Sequence, residues 1–159
     1  MALTGKLEIE IDVQSSATEF FNFFVKTLHN LPNVASCVHA GQLHQGDDWH
    51  AIGSAKHWTY TVDGKVVTCK ERFEEIDEEN KTLKIELFEG DVKEEHKSFK
   101  CIIKVTDKEG GGAVAKWSFL YEKIHAGISD PKGYLDLAKS LAKDVDAHLL
   151  SAQEGRAEN

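Results

Sequence analysis

The sequence has no stretch that could cross a bilayer, since that would take about 18 consecutive apolar residues and no run approaches this length. The first ten residues also lack the basic and apolar segments of a signal peptide, and they already alternate in polarity. We therefore expect a cytoplasmic protein that does not insert into membranes.

Cysteine is scarce, with three widely spaced residues and no C-x-x-C pair: Cys37, Cys69 and Cys101. An odd number at such spacing favours buried free thiols over a disulfide framework. The eight histidines form no H-x-x-x-H pair on a predicted helix and no zinc-like cluster with Cys or Asp. We predict neither a metal ion nor a cofactor.

Basic residues are also in the minority, with 19 Lys and Arg against 27 Asp and Glu and a formal net charge of −8. Phosphate binding needs a concentrated basic face, so we predict no nucleic-acid partner. A chain of 159 residues with 41% hydrophobic residues suits one globular domain. We expect a single ligand-binding domain over 1–159, with an ordered core of about 3–151 and a flexible tail at 152–159.

Alternating polarity predicts seven strands. Apolar and charged side chains alternate from Leu7 to Val13, which indicates a first strand with one buried face. The other six strands are predicted over 40–44, 52–62, 65–77, 82–88, 98–106 and 113–124. Asp63-Gly64 joins two of them as a hairpin, and polar or glycine-rich segments such as Glu89-Gly90-Asp91 separate the others as turns.

Three helices are predicted around these strands. Ser15 or Ser16 caps a first helix that Pro32 ends, and a short helical piece follows near 33–37. A long amphipathic helix opens at Ser129-Asp130-Pro131. Its apolar positions recur at three and four, with His148 interpreted as a core histidine: Tyr134, Leu137, Ala138, Leu141, Val145, His148 and Leu149.

This order of elements predicts an α+β fold in which a curved seven-stranded antiparallel sheet surrounds the long C-terminal helix. The inward strand face carries a carboxylate, Glu71, which a plain apolar core would exclude. Apolar walls with a few polar groups are typical of small-molecule sites, so we predict an internal cavity. Its predicted ligand-binding residues are Lys56, Trp58, Tyr60, Cys69, Glu71, Leu83, Ile85, Phe99, Cys101, Trp117, Phe119, Tyr121, Tyr134, Ala138 and Leu141.

Five segments of the chain resemble plant major latex proteins: GSAKHWTYTVDGK at 53–65, FEGDV at 88–92, KSFK at 97–100, KWSFLYEK at 116–123 and DVDAHLL at 144–150. That family belongs to the birch-pollen-allergen superfamily, together with the pathogenesis-related class ten proteins. The resemblance implies a helix-grip (START-like) fold with a large cavity. It also implies binding of a hydrophobic plant metabolite of the sterol, flavonoid, alkaloid or lipid class, a role in defence or stress, and a monomer or weak dimer.

The loop at 46–53 departs from the superfamily's glycine-rich pattern, because other residues replace its middle glycines. Its acidic pair, Asp47 and Asp48, would repel an anion, so we interpret this loop as the rim of the cavity. The loop at 89–96 lacks the His-Arg-Leu latch of the hormone receptors in the superfamily, and the Asp63-Gly64 turn is too short for their gate. A receptor function is therefore disfavoured.

Some superfamily members are enzymes that condense, cyclise or isomerise alkaloid precursors, which keeps an enzyme as the alternative to a carrier. Glu71 is the candidate general acid or base for such chemistry. It could equally form an ion pair with Lys56 across the third and fourth strands, or face solvent through a bulge. We assign no catalytic residue from the sequence, and we favour a binding protein.

Overall fold

The protein is described by a computed structural model that covers residues 3–158, with side chains described for residues 3–153. Its sheet has seven antiparallel strands in the order β1-β7-β6-β5-β4-β3-β2. The strands are β1 (Thr4–Val13), β2 (Val38–Gln45), β3 (Ala55–Val62), β4 (Lys65–Asp77), β5 (Thr82–Gly90), β6 (His96–Asp107) and β7 (Ala113–Lys123). The helices are α1 (Ala17–Lys26), α2 (Leu31–Val34), α3 (Asp91–Glu95) and α4 (Gly133–Glu158), with a 3-10 turn at Leu28–Asn30.

The long helix α4 packs against β1, β7 and β3. Because β1 and β3 lie near opposite edges of the sheet, a helix that contacts both requires the sheet to curve around it. This arrangement confirms the predicted α+β helix-grip fold. Among the described residues, no helix combines the length and the apolar character needed for a membrane span.

The alternation of β1 and the first hairpin follow the sequence pattern closely. Ile11 and Val13 are buried while Glu10 and Asp12 are exposed, as period-two alternation predicts. Asp63 and Gly64 both have positive φ, at 52° and 76°. Two left-handed residues in a two-residue turn match the twist of the flanking strands, so this pair sets the register of β3 against β4.

Helix α1 ends before the proline that was predicted to end it. The Thr27 backbone N–H donates to the Phe23 carbonyl at the C-terminal cap, five residues before Pro32. Pro32 instead lies in the first turn of α2, where its missing N–H leaves no helical hydrogen bond unmade. The short helix therefore begins earlier than the 33–37 segment expected from the sequence.

The segment after β5 forms a helix, α3, where the sequence analysis predicted only a turn. The Thr68 backbone N–H donates to the Asp91 carboxylate at 2.7 Å, which holds α3 against β4. A Cβ at Gly90 would lie 2.3 Å from the Thr68 carbonyl oxygen, so only glycine fits this approach. Val92 is the one buried residue of α3, and five residues are too few to show a helical period.

One prediction about α4 needs correction. His148 is exposed and packs edge-on against Phe23, at 6.0 Å between ring centroids, so it is not a core histidine. The buried polar residue of this helix is Asp146, whose carboxylate accepts hydrogen bonds from the backbone N–H groups of Gln14 and Ser15 and from the Ser15 hydroxyl. Ser15 is therefore committed to α4, and Ser16 alone caps α1.

The helix α4 also extends through most of the tail that was expected at 152–159. It is helical as far as Glu158. Residue 159 lies outside the described residues, so the predicted flexibility of this segment stays a prediction.

Candidate functional site

A cavity of about 100 Å³ lies between the concave face of the sheet and α4. Apolar side chains form nearly all of its wall, with two tyrosine hydroxyls, two thiols and one carboxyl group among them. The lining residues are Phe24, Leu28, Leu31, Val38, Trp58, Tyr60, Cys69, Glu71, Leu83, Ile85, Leu87, Cys101, Ile103, Trp117, Phe119, Tyr134, Leu137, Ala138 and Leu141.

The cavity wall brings together twelve of the fifteen residues predicted from the sequence: Trp58, Tyr60, Cys69, Glu71, Leu83, Ile85, Cys101, Trp117, Phe119, Tyr134, Ala138 and Leu141. The strand residues among them were placed by alternation and the helix residues by the three-four spacing. Both periodicities therefore identify the faces that meet at the cavity.

Three predicted residues, Lys56, Phe99 and Tyr121, face inward without forming the cavity wall. Phe99 stacks on Tyr121 and packs against Tyr134, with ring centroids 6.4 and 4.9 Å apart. The Tyr121 hydroxyl donates to the Asp130 carboxylate at 3.0 Å, near the start of α4. These aromatic residues fill the space beyond Tyr134 instead of bordering the void.

Seven lining residues were not among the predicted site residues: Phe24, Leu28, Leu31, Val38, Leu87, Ile103 and Leu137. Leu87 and Ile103 share a strand face with predicted residues, and Leu137 shares a helix face with them. Alternation in the strands and three-four spacing in the helix were therefore usable signals. The others come from α1, α2, the 3-10 turn and the first residue of β2. Their apolar spacing indicated a buried face, but no local pattern says which part of the sheet that face covers.

Tyr60 and Tyr134 form a polar contact inside this apolar wall. Their hydroxyl oxygens lie 2.6 Å apart, which joins β3 to the first turn of α4. Burial raises the pKa of both phenols far above the ordinary value, so both stay neutral donors and acceptors. Burial likewise raises the pKa of the free thiols Cys69 and Cys101, which keeps them protonated and therefore poor nucleophiles.

Glu71 supplies the only carboxyl group among the lining residues of the described chain. The indole Nε1–H of Trp58 donates to its Oε1 at 2.7 Å. Burial raises the pKa of Glu71 above its ordinary value, while the charge of Lys56 and the Trp58 hydrogen bond oppose that shift. The register of β4 against β5 does shift between Lys70 and Glu71, as a bulge would require, yet the Glu71 side chain borders the cavity.

Lys56 lies directly opposite Glu71 in the β3–β4 register, but the two side chains form no ion pair within 4.0 Å in the described structure. The Lys56 side chain is fully buried, and its Nζ lies 3.3 Å from the centroid of the Phe73 ring. Its Nζ has no hydrogen-bond partner among the described residues. Burial lowers the pKa of this amine to about 8, against the attraction of Glu71 and Asp48.

The loop at 46–53 contacts two residues of the cavity wall, Trp58 and Leu28. Trp49 packs edge-on against Trp58, with ring centroids 5.6 Å apart. His50 Nε2 accepts a hydrogen bond from the Leu28 backbone N–H at 3.0 Å, which connects the loop to the 3-10 turn. Trp58 and Leu28 both line the cavity, so the loop lies beside the cavity wall, and its role as a rim stays a prediction.

Comparison with known proteins gives consistent matches along the chain. Residues 2–152 match the Pathogenesis-related protein Bet v 1 family. MLP-like protein 43 of Arabidopsis thaliana is 34% identical over 154 residues, which are 96% of this chain and 97% of that protein. MLP-like protein 34 of the same plant is 37% identical over 94% of this chain, which spans 48% of that protein.

Solved structures agree with the sequence matches. The crystal structure of ginseng major latex-like protein 151 from Panax ginseng superposes with a TM-score of 0.87 at 34% identity, covering 92% of this chain and 98% of that one. Ara h 8.0201 superposes with a TM-score of 0.74 at 18% identity, which shows a shared fold alone.

Proposed function

The chain belongs to the Pathogenesis-related protein Bet v 1 family, and on that premise we propose that it binds a small hydrophobic molecule in the cavity between the sheet and α4. This proposal rests on one observation, the apolar composition of the wall around an open cavity. Its side chains come from β2 to β7, α1, the 3-10 turn, α2 and α4, and almost all of them are apolar. A packed core of this composition would close such a void, because each lining group loses dispersion contacts across it.

The cavity volume limits what can bind without movement. A dry apolar cavity of roughly 150 Å³ accepts benzene, so the present volume of about 100 Å³ corresponds to less than one aromatic ring. A sterol or flavonoid requires the walls to separate. The 3-10 turn supplies Leu28 and α2 supplies Leu31. Of these two short elements, α2 contacts the sheet at β2, and the 3-10 turn packs against α1 and α2. They are the part of the wall that we expect to move first.

Affinity follows from the area that the ligand removes from water. Burying about 300 Å² of apolar surface gains roughly 7 kcal/mol, from which the cost of association and of opening the cavity is subtracted. We expect dissociation constants in the micromolar range for ligands of this size.

Titration with a naphthalene sulfonate dye tests this proposal. The dye should fluoresce with the folded protein and be displaced by sterols, flavonoids or long-chain lipids. A series of apolar ligands of increasing size, starting from benzene, then measures how far the wall opens. A folded protein that binds neither the dye nor benzene would refute the cavity as a binding site.

We propose further that the natural ligand is a plant metabolite that the protein carries in the cytoplasm during defence or stress. The support is the family's description as pathogenesis-related and the plant origin of its relatives. Native mass spectrometry of protein isolated from stressed and unstressed source tissue would identify the cargo. The same ligand-free mass from both tissues would argue against carriage.

An enzyme acting on an alkaloid or phenolic precursor is the second candidate, and Glu71 is the observation that favours it. A carboxyl group with a raised pKa inside an apolar cavity can serve as a general acid or base near neutral pH. Structural groups also acquire such shifts, so a raised pKa alone does not make Glu71 catalytic, and the carrier function is preferred.

A further inference from the structure

The Lys56 amine is a buried polar group that the fold itself does not use. Its side chain is fully buried, and its Nζ has no hydrogen-bond partner among the described residues. The face of the Phe73 ring, 3.3 Å away, is its nearest favourable contact. A buried amine normally needs hydrogen-bond acceptors, and a methionine would fill the same space without that penalty.

The position of this amine connects it to the cavity. Lys56 lies on the same face of β3 as Trp58, two residues away, and opposite Glu71 on β4. Trp58 and Glu71 both line the cavity. Lysine has four rotatable side-chain bonds, and directly opposed residues in a sheet have Cβ atoms about 5 Å apart. A rotation from the Phe73 ring toward Glu71 therefore brings the amine to the cavity wall.

We propose that Lys56 captures an aldehyde or ketone ligand as an imine at the Glu71 end of the cavity. This inference rests on the proposed binding function, and it adds a chemical class to the ligand. The attacking group is the neutral amine, and lysines desolvated in apolar pockets are the ones that form Schiff bases.

The protonation state of Lys56 supports this role. With a pKa of about 8, roughly a tenth of the amine is neutral at pH 7, whereas an ordinary surface lysine is neutral to less than about one part in a thousand. Lys56 is therefore favoured over an exposed lysine by a factor of roughly 200 in the reactive form.

Glu71 is placed to supply the proton that the reaction needs. The Lys56 nitrogen attacks the carbonyl carbon, and one of its protons passes to the carbonyl oxygen, which gives a carbinolamine. The protonated Glu71 carboxyl then donates to the new hydroxyl group, the C–O bond breaks, and water leaves. An iminium ion and the Glu71 carboxylate remain as an ion pair at the cavity wall.

Reductive trapping with a single-ring aldehyde tests the proposal. Benzaldehyde is the probe, because its one ring is closest in size to the present cavity. The protein is incubated at pH 7 with benzaldehyde and sodium cyanoborohydride, then analysed by intact mass and peptide mapping. We expect one benzyl group per chain, located on Lys56, and no such adduct in Lys56→Met. Thermal unfolding of that variant establishes that it folds.

Lys116 offers the matched control. Its amine is partly exposed, forms an ion pair with Glu8 at 3.1 Å, and belongs to the outer face of β7. Lys116→Met should leave the Lys56 adduct unchanged, while Glu71→Gln should slow its formation at least tenfold. Benzylation spread over surface lysines, equal in the wild type and Lys56→Met, would overturn the proposal.

Toluene binding distinguishes a failure of imine capture from a failure of cavity binding, because toluene matches benzaldehyde in size and lacks the carbonyl. Wild-type protein that binds toluene or the dye without an adduct on Lys56 refutes imine capture and leaves the cavity function standing. Protein that binds neither toluene nor the dye refutes the binding function, and the imine proposal is then refuted with it.

Discussion

The Tyr60 hydroxyl on β3 lies 2.6 Å from the Tyr134 hydroxyl on α4, and both rings line the cavity. This hydrogen bond closes one side of the cavity, since it joins the sheet to the first turn of the helix that covers it. The Tyr60 hydroxyl also contacts the Cys69 thiol, whereas the Tyr134 hydroxyl has the Tyr60 hydroxyl as its hydrogen-bond partner. The two substitutions that remove this bond are therefore not equivalent.

Tyr60→Phe should lower the free energy of unfolding by about 1–3 kcal/mol, because it leaves the buried Tyr134 hydroxyl without its partner. The double variant with Tyr134→Phe should be no less stable than Tyr60→Phe, since it removes the unpaired hydroxyl. Urea unfolding measures all three proteins. Tyr121→Phe, whose hydroxyl bonds the exposed Asp130, is the control and should lose less than about 1 kcal/mol. A double variant that is clearly less stable than Tyr60→Phe would contradict this account.

Asp146→Asn should destabilise the protein by about 2–3 kcal/mol. The carboxylate accepts three hydrogen bonds from Gln14 and Ser15, and an amide cannot accept from all of those donors. Asp144, on the same helix, accepts two similar bonds from Ser36 at an exposed position, so Asp144→Asn should lose at most about 1 kcal/mol. Equal losses in chemical denaturation would show that burial of Asp146 does not matter.

Leu141→Asp should lower stability by about 3 kcal/mol or more, because it places an unpaired carboxylate in the apolar wall. It should also abolish dye binding in any fraction that stays folded. Ala147→Asp introduces the same group on the exposed face of α4 and serves as the control. Melting temperatures that fall equally for both variants would mean that the register of the helix is wrong.

Glu71→Gln separates a carrier from an enzyme. The amide keeps the shape of the carboxyl, and its oxygen can still accept from the Trp58 indole, so ligand affinity should stay within about tenfold, or 1.4 kcal/mol. If Glu71 is a general acid or base, turnover should fall by about 10²–10⁴-fold with little change in substrate affinity. Wild-type protein is incubated with alkaloid or phenolic precursors to measure this. A product whose rate collapses in the variant would refute the carrier assignment.

Much of this architecture could be read from local patterns. Three patterns depend on residues close together in the chain. The alternation of β1 and the spacing of Tyr134, Ala138 and Leu141 predicted the correct buried faces, and Asp63-Gly64 predicted the hairpin turn. The resemblance to major latex proteins added the helix-grip topology, which local patterns alone leave open.

What could not be predicted depends on long-range packing. Asp146 is buried by a contact with Ser15 from the far end of the chain, and nothing in the amphipathic pattern of α4 distinguishes it from the half-buried Asp144. The cavity volume depends on side-chain rotamers. For the same reason Lys56 and Glu71 oppose each other in the register without forming the ion pair that this register permits.

The buried amine of Lys56 predicts a stability difference that depends on pH. Because the folded-state pKa is about 8, below the ordinary value of about 10.4, the unfolded chain binds more protons than the folded protein between these values. The penalty for burying the ammonium is therefore fully present below pH 8, and it disappears as the pH rises through about 10.4. Glu71 and Asp48 already act against this shift.

Lys56→Met should accordingly be more stable than the wild type by about 3 kcal/mol at pH 7, and this advantage should shrink toward zero near pH 10.5. Urea unfolding of both proteins across pH 6 to 10.5 measures the difference, which cancels the titration of the groups that do not interact with Lys56. Lys116→Met, which removes a partly exposed amine, is the control for the loss of a lysine. A difference between the wild type and Lys56→Met that stays constant over this range would mean that the Lys56 amine keeps an ordinary pKa, because only a shifted group binds protons unequally in the two states.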